Sequence, residues 1–233
     1  MSSLDLSTYR EAEIVQKLRV LHVRPLDILV TGVTGAGKST TLNTLFQKTV
    51  ARVGDGVDPE TMMTADYALN NWFRFWDTPG LGDNVETDKR HKAKIRQLLS
   101  DSYFFSEADY GYIDLALVVI EGSNRDMGTT YDLLNKVIIP HIQAERVLVV
   151  VNQADMAMKG RHWNYTTNIP DAVLLSFLEE QACSIQRRIK EATGLCIPKP
   201  VYYSAKYGWN LQAVLDFIID HIPTQRRLLE KEK

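Results

Sequence analysis

A glycine-rich turn between an apolar run and a helix-like pattern constrains the fold more than any other feature of this sequence. The run LDILV (26–30) is typical of a short buried strand, and GVTGAGKS (32–39) follows it in the pattern G-x-x-x-x-G-K-[S/T]. Glycines there let backbone N–H groups turn inward around an anion without Cβ clashes. A chance strand–turn–helix is the alternative, but every part lies where a phosphate-binding loop requires it.

Each residue type in this loop suggests a role. The following helix adds the positive end of its dipole, Lys38 can reach the β- and γ-phosphates of a nucleotide, and the Ser39 hydroxyl can bind Mg²⁺. Lys38 would also act in catalysis by stabilising charge. The predicted phosphate-binding residues are Gly32, Thr34, Gly35, Ala36, Gly37, Lys38, Ser39 and Thr40.

Strands and helices alternate along the remaining chain. Helices are predicted at 8–22, 38–47, 86–100, 129–139, 171–192 and 209–221, and strands at 26–30, 64–70, 72–77, 113–120, 146–151 and 200–204. This order predicts an α/β fold: a mostly parallel sheet with one antiparallel hairpin strand, which turns near Asn70-Asn71, and helices on both faces. Ligands of such sheets bind at the carboxyl ends of the strands.

Pro25 separates two predicted regions, an N-terminal helical extension (1–24) and one domain (25–233). Thr8 and Glu11 have the spacing of a capping box at the start of the first helix. Its apolar stripe packs either on the domain or on a partner, and the sequence favours neither. The last residues, RRLLEKEK (226–233), are typical of a solvated helix tail.

Composition excludes several classes of protein. A formal net charge of −2 gives no overall signal for nucleic acid or anionic lipid. The first residues lack the pattern of a signal peptide, and the clearest apolar run, 115–120, is far shorter than the ~20 residues that span a bilayer. Cys183 and Cys196 have no metal-binding spacing, nor have the five histidines. We therefore expect a cytoplasmic protein with no transmembrane segment.

A second motif, Asp77-Thr78-Pro79-Gly80, ends the strand predicted at 72–77. A carboxylate at this point can hold Mg²⁺ through its water shell. The Gly80 backbone N–H can contact a γ-phosphate, which gives Gly80 a predicted role in catalysis. The motif alone is a common turn, but its place downstream of a phosphate loop favours the functional interpretation.

Two further motifs favour a guanine base. After the strand at 146–151, Asn152-Gln153-Ala154-Asp155 offers a fixed carboxylate, which can accept both the N1 and N2 protons of guanine but finds no such pair on adenine. After the last strand, Ser204-Ala205-Lys206 can aim the Ala205 N–H at guanine O6. The predicted base-site residues are Asn152, Asp155, Ser204, Ala205 and Lys206.

In order and spacing, GVTGAGKS, DTPG, NQAD and SAK resemble the G domain of the translation-factor-related GTPases, specifically their Era-like branch (the TrmE-Era-EngA-YihA-septin type). The match runs from about residue 26 to residue 222. The strings VGDGVDPETM, DTPGLGDN, NQADMAMKGRHWN and RRIKEATG are more similar still to the prophage-associated YfjP/YeeP-type GTPases. The resemblance implies a switch protein that binds GTP or GDP with Mg²⁺ and hydrolyses GTP.

By this resemblance, residues 52–63 are switch I and residues 77–86 are switch II. A switch I threonine would bind Mg²⁺ and take part in catalysis; Thr61 is the first candidate and Thr64 the alternative. The metal ligands would then be Ser39, Thr61 and Asp77. Expected partners are a guanine nucleotide and a protein effector or GTPase-activating partner, with a ribosome-associated one among the candidates. No nucleic-acid-binding module is evident.

The sequence departs from the family pattern at three positions. Gln153 replaces a lysine that commonly packs on the base, and Leu81 follows Gly80 where Ras-like proteins carry a water-orienting glutamine. Gly35 replaces the asparagine of potassium-activated relatives. Trp163, in an irregular insertion at 156–169, would either shield the base or face a partner. Because leucine cannot orient water, we expect slow unaided hydrolysis.

Three other functions compete with a GTPase switch. An ATP-using P-loop kinase shares the glycine loop but leaves NQAD and SAK unexplained. A guanine-nucleotide-binding module with little hydrolysis is compatible with Leu81. A dynamin-like machine would need a long helical stalk that this sequence lacks.

Overall fold

A computed structural model describes residues 9–21, 24–46, 65–68, 71–82, 84–123 and 127–229, with residues 65–68 described by their backbone alone. The predicted switch I segment and both of its candidate threonines, Thr61 and Thr64, lie outside these ranges, as do the tail residues from 230 onward. Within the described ranges, no helix is both long and apolar enough to cross a membrane.

A six-stranded sheet forms the centre of the molecule, in the order β10-β7-β6-β1-β3-β2. All neighbouring strands are parallel except β2, which runs antiparallel to β3. The predicted α/β fold with one antiparallel hairpin strand is confirmed. The strands are β1 (Leu26–Gly32), β2 (Ala65–Ala68), β3 (Phe73–Asp77), β6 (Leu115–Glu121), β7 (Val147–Asn152) and β10 (Val201–Tyr202). Two short strands between β7 and β10, β8 (Trp163–Asn164) and β9 (Ile169–Pro170), form a separate antiparallel pair.

Helices cover both faces of this sheet, as the continuously buried residues of β1, β6 and β7 require. The helices α1, α2 and α6 cover one face and α3, α4 and α5 the other, each over its own apolar core. They are α1 (Glu11–Arg19), α2 (Lys38–Leu45), α3 (Val85–Ser100), α4 (Gly128–Leu133, continued by a π-helical turn, Leu134–Ile138), α5 (Ala172–Thr193) and α6 (Leu211–Asp220).

The N-terminal helix packs on the domain. Ile14 and Leu18 are buried in the same core as α2 and α6, and Arg10 forms ion pairs of 2.7 Å with Asp216 and Asp220 of α6. The helix begins after Arg10, which lies at its N-cap with a left-handed conformation and without a side-chain cap, so the predicted capping-box start is wrong. The sequence did not decide whether this helix packs on the domain or on a partner. In the structure α1 packs on the domain and is part of the same folded unit.

A second hairpin, β4 (Ser102–Phe105) with β5 (Ala108–Gly111), lies between α3 and β6 and was not predicted. The chain's last described residues pair with it, since Leu228 forms a bridge with Tyr110. The expectation of a solvated tail from residue 226 is therefore wrong for its first residues: Arg226 and Arg227 are 4% and 1% exposed. Both guanidinium groups donate hydrogen bonds to backbone carbonyls, and these bonds offset the cost of burying the charges.

Candidate nucleotide-binding site

The glycine loop lies between β1 and α2, at the carboxyl end of the central strand. Gly35 and Gly37 have φ angles of 81° and 86°, in the left-handed region that disfavours other residues. A Cβ atom on Gly37 would lie 2.2 Å from Asn152 Nδ2, so both conformation and space require glycine at this position. The loop is thus held in its curved form by its own sequence and by the neighbouring β7 loop.

Several backbone N–H groups of this loop have no internal acceptor. Among the described residues, none accepts a hydrogen bond from the N–H groups of Gly35, Gly37, Ser39 or Thr40, while Thr34 N–H donates to Leu81 O at 2.8 Å and Ala36 N–H to Val33 O at 3.3 Å. Unengaged N–H groups at a helix N-terminus form an anion-binding site. The loop therefore suits phosphate oxygens.

Lys38 and Ser39 begin α2 beside the end of β3. The buried Lys38 Nζ donates to the carbonyls of Gly32 and Val33, at 3.3 and 3.1 Å. The Ser39 hydroxyl donates to Asp77 Oδ2 at 3.3 Å, and the buried Asp77 Oδ1 accepts no hydrogen bond from the residues that the structure describes. Burial raises the pKa of Asp77, and the Lys38 charge opposes that rise. A carboxylate with an unmatched oxygen beside a hydroxyl fits a hard cation such as Mg²⁺.

The turn after Asp77 lies directly on the glycine loop. Gly80 faces Thr34, and a Cβ on Gly80 would lie 2.5 Å from Thr34 Oγ1, so only glycine fits. Leu81 is fully buried, and its N–H donates to Gly32 O at 3.3 Å. Leu81 therefore belongs to the core, and no side chain at this position faces the site to orient water.

Two loops on the other side of the glycine loop carry the predicted base-binding residues. The Ser204 hydroxyl donates to Asp155 Oδ1 at 2.5 Å, and both residues are buried. Asn152 connects three segments: its Nδ2 donates to Ala36 O at 2.9 Å, and its Oδ1 accepts from Ala205 N–H at 3.0 Å. Both polar ends of the Asn152 amide thus hold the loops together.

The glutamine that replaces the usual lysine also contacts the glycine loop. Gln153 Nε2 donates to Gly35 O at 2.7 Å, a bond that the sequence did not predict. The exposed Lys206 carries its ammonium group 5.1 Å from the centre of the Tyr207 ring. A long polar side chain therefore extends from each of the two base-site loops.

An aromatic cluster supports these loops from the insertion at 156–169. Trp163 is 5% exposed, and its ring lies 5.5 Å from that of Tyr207 and 5.7 Å from that of Trp209. Ala154, Ala157, Leu174 and Leu178 complete this third core. Trp163 is thus neither a free partner surface nor an exposed lid; it packs beneath the loops. Its position depends on tertiary packing, which no local sequence pattern specifies.

The arrangement defines a class of protein. A phosphate loop, a half-buried carboxylate at the end of β3 and two base-type loops lie at the carboxyl end of the sheet, which is the arrangement of a P-loop GTPase G domain. The sequence model of the family described as "50S ribosome-binding GTPase" matches residues 27–155, more than half of the chain, and the chain belongs to this family.

Two curated relatives are similar in sequence. GTPase Der of Thermosipho africanus is 23% identical over 206 residues, which cover 88% of this chain and 38% of Der. The tRNA modification GTPase MnmE of Phocaeicola vulgatus is 24% identical over 135 residues, which cover 57% of this chain and 25% of MnmE. The chain thus spans well under half of either relative, and these relatives support an Era/TrmE-type GTPase domain.

Solved structures share the fold. Toc33 from Arabidopsis thaliana, in complex with GDP and Mg²⁺, aligns with a TM-score of 0.63 at 18% identity and covers 97% of this chain and 96% of its own. Era from Aquifex aeolicus, bound to GDP·AlF4⁻, aligns with a TM-score of 0.53 at 17% identity and covers 90% of this chain and 58% of its own. At these identities the likeness establishes the fold alone.

Proposed function

We propose that this protein binds GTP with Mg²⁺, hydrolyses it to GDP and phosphate, and acts as a nucleotide-dependent switch. One observation carries the proposal: the unengaged N–H groups of the glycine loop and the buried carboxylate of Asp155 both lie at the carboxyl end of the sheet, where Asn152 bonds the glycine loop to the Ser204–Ala205 loop and Ser204 bonds Asp155. An anion site beside an acceptor suited to a guanine edge supports the proposal.

In this proposal each side chain has a defined task. The loop N–H groups and Lys38 bind and orient the phosphates, and the Gly80 N–H contacts the γ-phosphate. Ser39 and Asp77 hold Mg²⁺, together with a switch I threonine, Thr61 or else Thr64. Mg²⁺, when bound, neutralises charge on the β- and γ-phosphate oxygens. Asp155 and Lys206 contact the base, while Asn152 and Ser204 position the loops. The Ala205 N–H, which the sequence predicted to face guanine O6, donates to Asn152 Oδ1 instead and so helps to position the loops.

Hydrolysis should be slow without a partner. Leu81 is buried and has no hydrogen-bonding group, so the chain offers no water-orienting side chain there. Turnover should be near the order of 10⁻³ s⁻¹ that unassisted switch GTPases show. The same observation favours a second candidate function, a GTP/GDP-binding module with little hydrolysis. Phosphate release with and without candidate partners separates the two.

The identity of the partner and the subgroup within the GTPase family are also proposals. The family description favours a ribosomal partner, and the motif strings favour a relationship to the YfjP/YeeP-type GTPases. Co-sedimentation with ribosomal subunits in the presence of GDP, or of a non-hydrolysable GTP analogue, tests the first. We retain residues 25–233 as the GTP-binding domain, with α1 packed against it as part of the same folded unit.

Calorimetric titration tests nucleotide choice. The protein should bind GDP and a non-hydrolysable GTP analogue with Mg²⁺ and bind the ATP analogue at least about a hundredfold more weakly, because adenine presents a lone pair where guanine presents N1–H. Equal binding of both bases would refute the GTPase proposal and favour the ATP-using alternative.

A further inference from the structure

His91 of α3 contacts the Asp77–Gly80 turn through a single hydrogen bond. Its ring is 9% exposed, and Nδ1 lies 2.8 Å from the Gly80 carbonyl oxygen. A carbonyl can only accept, so the ring nitrogen must be the donor and the neutral ring must carry its proton on Nδ1. The bond links the helix that follows the turn to one peptide of the turn itself.

The two backbone polar groups of Gly80 differ in their hydrogen bonding. Its carbonyl accepts from His91, whereas none of the described residues accepts a hydrogen bond from its N–H. The next residue is fixed on both sides, because Leu81 is buried and its carbonyl accepts from Thr34 N–H at 2.8 Å. The Gly80–Leu81 peptide is thus held at both of its polar groups: His91 donates to the Gly80 carbonyl, and Leu81 N–H donates to Gly32 O at 3.3 Å. His91 supplies the side-chain part of this constraint, which fixes Gly80 beside the glycine loop.

We propose that His91 is a positioning residue that holds Gly80 against the glycine loop for the terminal phosphate of a nucleoside triphosphate. The inference rests on the proposed function, in which the Gly80 N–H contacts the γ-phosphate. His91 acts through the Gly80 backbone and does not touch the nucleotide. Because a diphosphate lacks the group that Gly80 would contact, the loss of His91 weakens triphosphate binding and leaves diphosphate binding unchanged.

Structural packing alone would give a different result. His91 lies beside the core residues of α3, so its removal lowers stability whatever its role. A loss of stability alone would change the binding of both nucleotides equally, whereas a positioning role changes their ratio. Two other histidines provide matched controls: His141 Nδ1 lies 2.8 Å from Val137 O and His221 Nδ1 lies 2.7 Å from Phe217 O, each within its own segment.

The experiment measures Kd for GDP and for a non-hydrolysable GTP analogue, with Mg²⁺, across a variant series. His91→Ala should weaken analogue binding about three- to tenfold, the effect of one hydrogen bond, and keep GDP binding within about twofold. His91→Gln, whose amide can donate to the same carbonyl, should recover most of the loss.

The controls His141→Ala and His221→Ala should leave the ratio of the two Kd values unchanged. His91→Phe keeps the ring volume without a donor and replaces the alanine variant if that one does not fold.

The outcomes separate the two proposals. A parent protein that binds neither nucleotide overturns the proposed function and this inference with it. A parent that binds both, with variants that lose both equally or lose neither, overturns the positioning role of His91 alone.

Discussion

The Ser204 hydroxyl donates a hydrogen bond to the buried Asp155 carboxylate across 2.5 Å. This bond joins the loop after β10 to the loop after β7 and leaves Asp155 Oδ2 without a donor among the described residues. A carboxylate fixed at one oxygen can present its remaining lone pairs in a constant direction. In the proposed function, the relationship between these two residues therefore gives the base site its acceptor.

Asp155→Asn should exchange guanine for xanthine as the preferred base. The amide turns one acceptor into a donor, which opposes the guanine N2 amino group and suits the O2 carbonyl of xanthine. Charge-assisted hydrogen bonds contribute about 1.5–3 kcal/mol each, so GDP binding should fall about a hundredfold while XDP binding rises. Competition of GDP and XDP against a fluorescent nucleotide measures the change.

Ser204→Ala is the matched control for this base test. It removes the positioning bond but keeps the carboxylate, so GDP binding should weaken only severalfold with no gain for XDP. If Asp155→Asn binds GDP as tightly as the parent does, the carboxylate does not read the base.

Lys38→Ala and Ser39→Ala should differ in their metal dependence. In the proposed function, Lys38 acts by its charge at the phosphates, whereas Ser39 acts mainly through Mg²⁺. In Mg²⁺-free buffer, Lys38→Ala should weaken GDP binding more than tenfold and Ser39→Ala only slightly; added Mg²⁺ should strengthen binding by the Lys38 variant but not by the Ser39 variant. Equal losses in the absence of metal would contradict these roles.

Asp77→Asn should separate metal binding from stability. Burial raises the Asp77 pKa, so the ionised carboxylate is unfavourable in the ligand-free protein, and the isosteric amide should leave the free energy of unfolding unchanged or slightly higher. The same variant should lose the Mg²⁺-dependent part of GTP binding, about tenfold or more. Urea unfolding and Mg²⁺ titration measure the two effects. Loss of stability together with intact metal dependence would place the metal elsewhere.

The sequence predicted the elements whose signals are local. The glycine loop, the β2–β3 hairpin and the carboxylate at Asp77 each follow from a short string with one physical explanation. The β4–β5 hairpin was missed because its turn uses Ser106 and Glu107, both with positive φ, where a hairpin usually carries glycine or asparagine. The contact of Gln153 with Gly35 joins residues 118 positions apart, which no local pattern specifies.

No local sequence pattern predicts the burial of the C-terminal arginines. Arginine is almost always exposed unless it is paired. Arg226 pairs with Asp114 and Arg227 with three carbonyls, and all of these partners come from distant segments. The same dependence on distant neighbours applies to Leu81: the sequence showed only that leucine cannot orient water, and its burial in the core with residues of α3 and β6 is a tertiary property.

Arg227→Ala should strongly destabilise the fold. Its guanidinium donates to the carbonyls of Ile113, His141 and Leu99, at 2.9, 2.8 and 2.6 Å, and burial lowers the pKa of Arg227 to about 10. Truncation removes the Arg227 donors from two buried carbonyls and one partly buried carbonyl, so the free energy of unfolding should fall by roughly 2–5 kcal/mol. Urea unfolding measures the loss. Arg187→Ala, at an exposed pair, is the control and should cost about 0–1 kcal/mol.

Gln153 should control how long a nucleotide stays bound. Its amide links the base loop to the glycine loop through the 2.7 Å bond to Gly35 O. Gln153→Ala removes this bond, so GDP should dissociate about three- to tenfold faster, the effect of one neutral hydrogen bond. Gln153→Lys replaces it with a charge-assisted bond, which is roughly twice as strong, so dissociation should become slower than in the parent. Stopped-flow release of a fluorescent GDP measures all three rates.

Gln212→Ala, which removes a comparable side-chain bond to Tyr9, is the control and should leave the rate unchanged. An alanine variant that releases GDP at the parent rate would show that Asn152 alone holds the two loops together.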